Sequence, residues 1–464
     1  MHEEILRKVL EKVKPSNQDL TRMLSAARKL QAIAEKKMKQ LGIDAKVMLV
    51  GSAARGTWLK GEKDIDLLLL FPEKISEEEM EFLGMKLARE IAGSSGKEEY
   101  AEHPYVRMVF EGFEVDLVPC FDISDPTKTK SAPDRTPHHQ QYIKERIKGK
   151  LADEVLLLKQ FAIGIGIYGA EAKVQGFSGY LCELLILHYG SFMELVKNAC
   201  NWYHGVVIDI EKFYSDRRDL SKLFPNQPLI VIDPVDPKRN VAAAVSHRSF
   251  SVFIQACRDF LKSPSLNFFF PRPPRRLTQK SLREILKQRE TRFIVLYIKH
   301  DGMSEEVMYP QLRKTAKAIH TGLVQRGFSV LRYAVWSGDR HAAIVMETFP
   351  KKLPNVEARV GPRPPIDSSK FIETYINSER TIVGPTVNEF GNIVFEIERK
   401  WRDPVSVIKD LLQKRLGFGK DVADLIMKGN CELLIDAEAS KLLRNEDARL
   451  FLSEYFDDRL PWYR

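Results

Sequence analysis

Apolar and polar positions follow two periods along this chain, and the changes of period mark its elements. Over residues 17–41, Leu20, Met23, Leu24, Ala27, Leu30, Ile33 and Ala34 recur at helical spacing and predict an amphipathic helix that Gly42 stops. Residues 3–14 predict a shorter helix before it. Val47 to Val50 is a brief apolar run, and Leu67 to Phe71 has the length and apolarity of a buried strand. Ser76-Glu77-Glu78-Glu79 opens a helix with a serine cap and an acidic first turn, ending near Gly93. Tyr105 to Glu111 alternates as a strand does, Gly112 supplies a tight turn, and Phe113 to Phe121 returns as the hairpin partner. Taken together these predict a small mixed sheet with helices on one side.

Beyond residue 125 the pattern changes. Residues 131–150 are polar and begin as a loop; 151–170, 176–200 and 240–262 predict apolar helices, the first broken at its glycines. Residues 263–276 form a Pro/Arg-rich connector and a domain boundary. A helix at 279–289, a strand at 292–298, a helix at 308–326 and strands near 328–336 and 341–348 predict a small α+β body. Residues 351–368 read as a Pro-rich loop, Ile393 to Ile397 as a strand, 403–415 as a helix and 418–464 as a helical tail. The expected fold class is α+β and multidomain, divided into 1–125, 126–262, a connector at 263–290, and a body and tail at 291–464.

Composition narrows the function classes. A chain of 464 residues is too long for one ordinary core. With 44% hydrophobic and 29% charged residues, and no apolar run of membrane-spanning length, it reads as globular and not membrane-embedded. Met1-His2-Glu3-Glu4 lacks a basic and apolar leader, and Cys120, Cys182, Cys200, Cys257 and Cys431 form no CxxC pair. A cytoplasmic protein without a disulfide framework or zinc site is expected. The formal charge of +9 suits a polyanionic partner.

The candidate chemistry lies in VMLVGSAARGTWLKGEKDIDLLLLF, residues 47–71. Asp64 and Asp66 fall on one face of the predicted strand, their Cα atoms roughly 6.6 Å apart. Oxygen ligands at a strand mouth suit Mg²⁺, although a D-x-D there is also the pattern of a solvated strand end. Asp116 stands inside a second apolar strand, between Val115 and Leu117, where an unpaired carboxylate is costly. Lys159 sits among Leu156, Leu157, Leu158 and Phe161, either snorkelling to water or meeting a phosphate. The loop Asp233 to Asn240, DPVDPKRN, reads as a rigid surface loop capping the helix after it.

Gly-Ser, then D-x-D on a strand, then a lone aspartate on a later strand resembles the nucleotidyltransferase palm of the polymerase β superfamily. Within it, GSAARGTWLKGEKDIDLLLLF, FEVDLVPCF, DRTPHHQQYI, LLKQFAIGIGIYGAE, GFSGYLCELLI, DPVDPKRNVAAAVS and VMYPQLRKTAKAIH resemble the archaeal-type (class I) CCA-adding enzymes, which are tRNA nucleotidyltransferases. The resemblance implies a polymerase-β-like palm, a helical central domain, and an α+β body and helical tail. It implies template-independent addition of C, C and A to the tRNA 3′ end from CTP and ATP, with release of pyrophosphate.

The resemblance also assigns residues. Asp64, Asp66 and Asp116 are the expected Mg²⁺ ligands, two ions being held, with Asp116 on the hydroxyl-side ion and able to assist as general base. The first D-x-D position is often Glu in relatives, so Asp64 shortens that ligand's reach. Gly51, Ser52, Arg55, Lys159 and Tyr168 are expected at the triphosphate. A histidine of the DRTPHH block is expected near the nucleotide, with His139 the better match and His138 standing where a bulkier aromatic is expected. Arg239 is expected to read the Watson–Crick edge, oriented by an acidic neighbour for which Asp236 is the best candidate; a guanidinium only donates, and C and A present acceptors. The body and tail are expected to grip the acceptor and TΨC arms of tRNA by shape and backbone charge, in a chain for which a homodimer is compatible. Two rivals remain at this level: another palm nucleotidyltransferase, such as a poly(A) or small-molecule nucleotidyltransferase, and a non-catalytic RNA-binding protein.

Overall fold

The computed structural model describes residues 2–100, 103–215, 220 and 222–464. The chain divides into two compact units, one of Met1–Pro273 with Arg459–Arg464, the other of Pro274–Asp458.

The first unit opens with α1 (His2–Val13) and α2 (Asn17–Leu41), the latter started by a Ser16–Asp19 capping box and stopped by Gly42 in the left-handed conformation. Strand β1 (Lys46–Val50), the short helix α3 (Gly51–Arg55), β2 (Asp64–Pro72), α4 (Glu77–Ala92), β3 (Lys97–Tyr100), β4 (Pro104–Phe110) and β5 (Phe113–Asp122) follow. Their sheet has the order β1-β2-β5-β4-β3, with β2 and β5 parallel and the other pairs antiparallel. Period-two alternation then divides the faces. Ile65, Leu67, Leu69 and Phe71 of β2, with Val115, Leu117 and Phe121 of β5, pack against α2 and α4. Leu68, Leu70 and Cys120 join Val50 in a small cluster on the opposite face. Asp64, Asp66 and Asp116 belong to that second face, beyond the end of its apolar patch.

The rest of the unit is mostly helical. α5 (Thr136–Arg146), α6 (Lys150–Gly164), α7 (Gly179–Tyr189), α8 (Phe192–Ala199) and α9 (His247–Lys262) surround a core rich in phenylalanine, including Phe161, Phe192, Phe253 and Phe260. α1 turns its Leu6, Val9 and Val13 into this helical core, although it precedes the sheet in sequence. Strands β6 (Val206–Ile208) and β7 (Leu229–Val231) pair in parallel beside it. The helix expected at 240–262 begins seven residues later, at His247, with Ser246 as its cap. Asn240 is not a helix cap: its side chain accepts from Val231 N at 2.8 Å and donates to Leu229 O at 2.9 Å, tying its loop to β7. The C-terminal aromatics pack inward, Trp462 stacking on Phe268 with ring centroids 5.3 Å apart.

In the second unit, β8 (Arg292–Lys299), β9 (Ser329–Ser337), β10 (His341–Phe349) and β14 (Cys431–Ile435) form an antiparallel sheet in the order β14-β8-β10-β9. Helices α11 (Glu305–Val324), α13 (Pro404–Lys414) and α14 (Lys420–Met427) cover one face; α10 (Gln279–Arg289) and α15 (Glu446–Phe456) cover the other. A separate sheet, β11-β13-β12, is built from Val356–Val360, Ile393–Glu398 and Thr381–Val387, with α12 (Ser369–Ile376) packed on it. The segment 351–368 therefore contains a strand where only loop was expected, and 418–464 contains β14 within its helices. No helix among the described residues is long and apolar enough to cross a membrane.

Candidate active site

Three acidic residues are brought together by strand register. β2 and β5 pair so that Asp66 is directly beside Asp116, with Asp64 two residues earlier on the face of Asp66. Neighbouring strands lie about 4.8 Å apart, so the carboxylates crowd one another. Burial, then the charges of Asp116 and Asp64, push the Asp66 carboxyl up to about 6. Asp64 is also raised, by burial and then by the charges of Glu114 and Asp116. Gly51, at φ 77°, begins the turn from β1 into α3, and a Cβ there would stand 2.1 Å from Asp66 Oδ2. Glycine at 51 is thus what lets the backbone carrying Ser52 pass beside the carboxylate.

The donor set suits a hard divalent cation: three carboxylates, no sulfur and no imidazole. Among the described residues, however, no three such side chains converge closely enough to share an ion. Asp116 has another partner: Arg107 of β4 donates from Nε and Nη2 to its two oxygens, each at 2.7 Å.

A second group lies where α3 meets α5, α6 and α7. Arg55 donates from Nε to Glu183 Oε1 at 2.9 Å and from Nη1 to Gln140 Oε1 at 3.4 Å. Thr57 Oγ1 donates to the same Glu183 oxygen at 2.5 Å. Lys159 does not snorkel: it is 1% exposed, and its Nζ donates to Thr57 O at 2.7 Å. Tyr168 is close by, since a Cβ at Gly179 would lie 3.3 Å from Tyr168 Oη and 3.5 Å from Lys159 Nζ. Burial drives the Tyr168 phenol upward, keeping it protonated and able to donate. Arg55 thus bonds Gln140, the chain neighbour of His139 in α5.

That third group centres on Asp233. Its Oδ2 accepts from Arg239 Nη1 at 2.7 Å and from His139 Nε2 at 2.8 Å; its Oδ1 accepts from Tyr180 Oη at 3.2 Å. His139 stacks on Tyr180, with centroids 4.1 Å apart. Burial lowers the His139 pKa, partly offset by Asp233, so the ring is neutral near pH 7 with its proton on Nε2. Burial works to raise Asp233, but the hydrogen bonds from His139 and Val235 N and the charge of Arg239 prevail and hold it below the ordinary range. His138 points elsewhere, donating from Nε2 to Ile123 O at 2.7 Å.

One expectation is corrected here. Arg239 is oriented by Asp233, while Asp236 accepts from Arg135 Nε at 3.1 Å. The turn explains it: Asp236 N donates to Asp233 O and Asp233 N to Arg239 O, folding residue 239 back over 233. Sequence reasoning also missed Glu183, whose signal was a charge within the apolar run of α7, and Arg107, whose signal was its register against Asp116.

Three segments of the chain match known protein families. Residues 32–139 match the nucleotidyltransferase domain family, residues 153–270 the second domain of tRNA nucleotidyltransferase, and residues 289–435 the C-terminal domain of the CCA-adding enzyme. The CCA-adding enzyme of Methanosarcina acetivorans is 42% identical over 463 residues, covering 98% of each chain. That of Methanosarcina mazei is 41% identical over 463 residues with the same coverage. That of Archaeoglobus fulgidus is 39% identical over 425 residues, 91% of this chain and 93% of the relative.

Proposed function

This chain belongs to the CCA-adding enzymes, and we propose from that premise how its residues divide the work. It is a template-independent tRNA nucleotidyltransferase, adding C, C and A to the tRNA 3′ end from CTP and ATP and releasing pyrophosphate. Its substrates are tRNA and nucleotides, and its superfamily uses divalent metal.

We assign Mg²⁺ to Asp64, Asp66 and Asp116. Once bound, it lowers the pKa of the terminal hydroxyl and offsets charge on the triphosphate. The protein's own contribution is placement. Asp116, beside Asp66 on the neighbouring strand, takes the side of the attacking 3′-hydroxyl. Ser52, Arg55, Lys159 and Tyr168 receive the triphosphate: Arg55 and Lys159 supply positive charge in a largely buried setting, where it acts more strongly than in water. Glu183 and Thr57 fix both cations in advance, so they need not reorganise during the reaction. Arg239, anchored by Asp233, presents its remaining donors to the base edge, with neutral His139 beside it.

In the second unit, Lys314 and Lys317 of α11 join Arg326 and Lys414 around an open hollow of about 590 Å³. Basic side chains spaced along a groove suit an RNA backbone better than a small anion, which supports our reading that this unit receives the acceptor and TΨC arms. We place the enzyme in the cytoplasm with its tRNA.

The observation that carries the assignment is the register of Asp66 with Asp116 on adjacent strands. The test is single-nucleotide incorporation into tRNA lacking CCA, lacking CA and lacking A. Wild type is expected to accept only C, C and A in turn. Arg239→Ala is expected to lose tenfold or more of its preference for CTP over UTP, the scale of one lost charge-assisted hydrogen bond. Unchanged preference in that variant would remove Arg239 from the base-reading role.

A further inference from the structure

The β4–β5 hairpin turns through Glu111 and Gly112, both at positive φ, 50° and 85°. This is the backbone pattern of a tight two-residue hairpin, which fixes register. The register sets Arg107 directly across from Asp116, and Asp116 directly beside Asp66. Directly paired residues share a face of the sheet, so a guanidinium and two carboxylates stand in a row across three strands. Arg107 takes both Asp116 oxygens in a planar fork. The pair is not sealed from water, its side chains being 47% and 23% exposed.

We propose that Arg107 is a competing cation, which holds Asp116 while no divalent ion is bound and is displaced when one binds. The proposal rests on the reading of Asp64, Asp66 and Asp116 as the divalent site, and concerns its affinity. Three crowded carboxylates repel one another, and Arg107 neutralises one of them directly. A guanidinium already bonded to both Asp116 oxygens and a divalent ion would compete for the same carboxylate, so each would weaken the other's hold. Arg107 therefore sets the divalent concentration at which Asp116 is engaged, and keeps the empty acidic row from being an uncompensated cluster of charge.

The test is Mn²⁺ binding to the full chain without tRNA or nucleotide, read as free Mn²⁺ by electron paramagnetic resonance. Arg107→Gln is expected to bind Mn²⁺ about three- to tenfold more tightly than wild type, the scale of one partly exposed charge-assisted pair. Arg107→Lys, a point charge without the fork, is expected to fall between. Asp116→Asn is expected to bind more weakly. Thermal unfolding provides a second readout: added Mn²⁺ should raise the melting temperature of Arg107→Gln by more than that of wild type. Unchanged or weaker binding in both Arg107 variants, with Asp116→Asn weakened, overturns the proposal and leaves the carboxylate site standing. Unchanged binding in Asp116→Asn overturns the carboxylate site, and the proposal with it.

Discussion

Burial and the charges of Asp116 and Asp64 push the Asp66 carboxyl up to about 6, from an ordinary 3.8 in the unfolded chain. Between those values the folded protein holds a proton that the unfolded chain has released. Stability of the metal-free protein therefore falls as pH rises from about 4 to about 6, and the penalty persists above. Asp66→Asn removes the charge, so the metal-free variant is expected to be more stable than wild type at pH 7.5, by on the order of 1–3 kcal/mol, while losing activity. Denaturant unfolding at pH 7.5 and pH 4 checks this: the difference should shrink toward zero at the lower pH, and equal stability at pH 7.5 would contradict it. A second prediction concerns the group around Arg239, to which we assign base reading. Asp233→Asn should erode discrimination of CTP over UTP by about tenfold or more, and Asp236→Asn much less, measured as the ratio of kcat/KM values. Choosing between these two aspartates lay beyond the sequence. Both stand near Arg239 in DPVDPKRN, and only the turn hydrogen bonds that fold 239 over 233 decide between them.

The elements that build the site were the legible ones, because each carries two independent signals. β2 has its continuous apolar run and its polar mouth; α2 has its stripe and the glycine that stops it. The hairpin's two-residue turn even places Arg107 against Asp116 by counting, a step the sequence reading did not take. The strands it missed are short or marginal. Cys431–Ile435 is a five-residue segment with Glu432 among its apolar residues, too brief to distinguish helix from strand by period. Thr381–Val387 carries Gly384-Pro385 in its interior, which reads as loop and is tolerated because the strand lies at a sheet edge. Two glycines separate chemistry from scaffold. Gly51→Ala drives a methyl into Asp66 Oδ2 at positive φ, and is expected to cut kcat a hundredfold or more, as displaced catalytic groups do. Gly84→Ala on α4 meets Pro119 Cβ at 2.4 Å on the opposite face of the sheet. It is expected to cost about 1–3 kcal/mol of stability by overpacking, with KM for ATP unchanged. Steady-state kinetics and urea unfolding of the two variants check both outcomes.

At the scale of the whole molecule, the chain's last residues, Arg459–Arg464, rejoin the first unit. Trp462 is buried against Phe268 and donates from Nε1 to Asp259 Oδ2 at 3.0 Å, while Tyr463 Oη donates to the same oxygen at 2.8 Å. Trp462→Ala is accordingly expected to cost about 3–5 kcal/mol of stability, seen as a lower denaturation midpoint. No local pattern in the sequence announced that return, since the partners are some two hundred residues away. The net charge of +9 and the basic hollow of the second unit match an RNA substrate, while the catalytic residues we propose are the acidic row of the first. The most direct test is incorporation of labelled CTP and ATP into a tRNA transcript lacking CCA, with Mg²⁺, by wild type and Asp116→Ala. Addition of two C and one A by wild type, abolished in the variant, is the predicted result. Near-wild-type addition by Asp116→Ala would contradict the assignment of the metal-binding carboxylates, and long A tracts from wild type would contradict CCA addition itself.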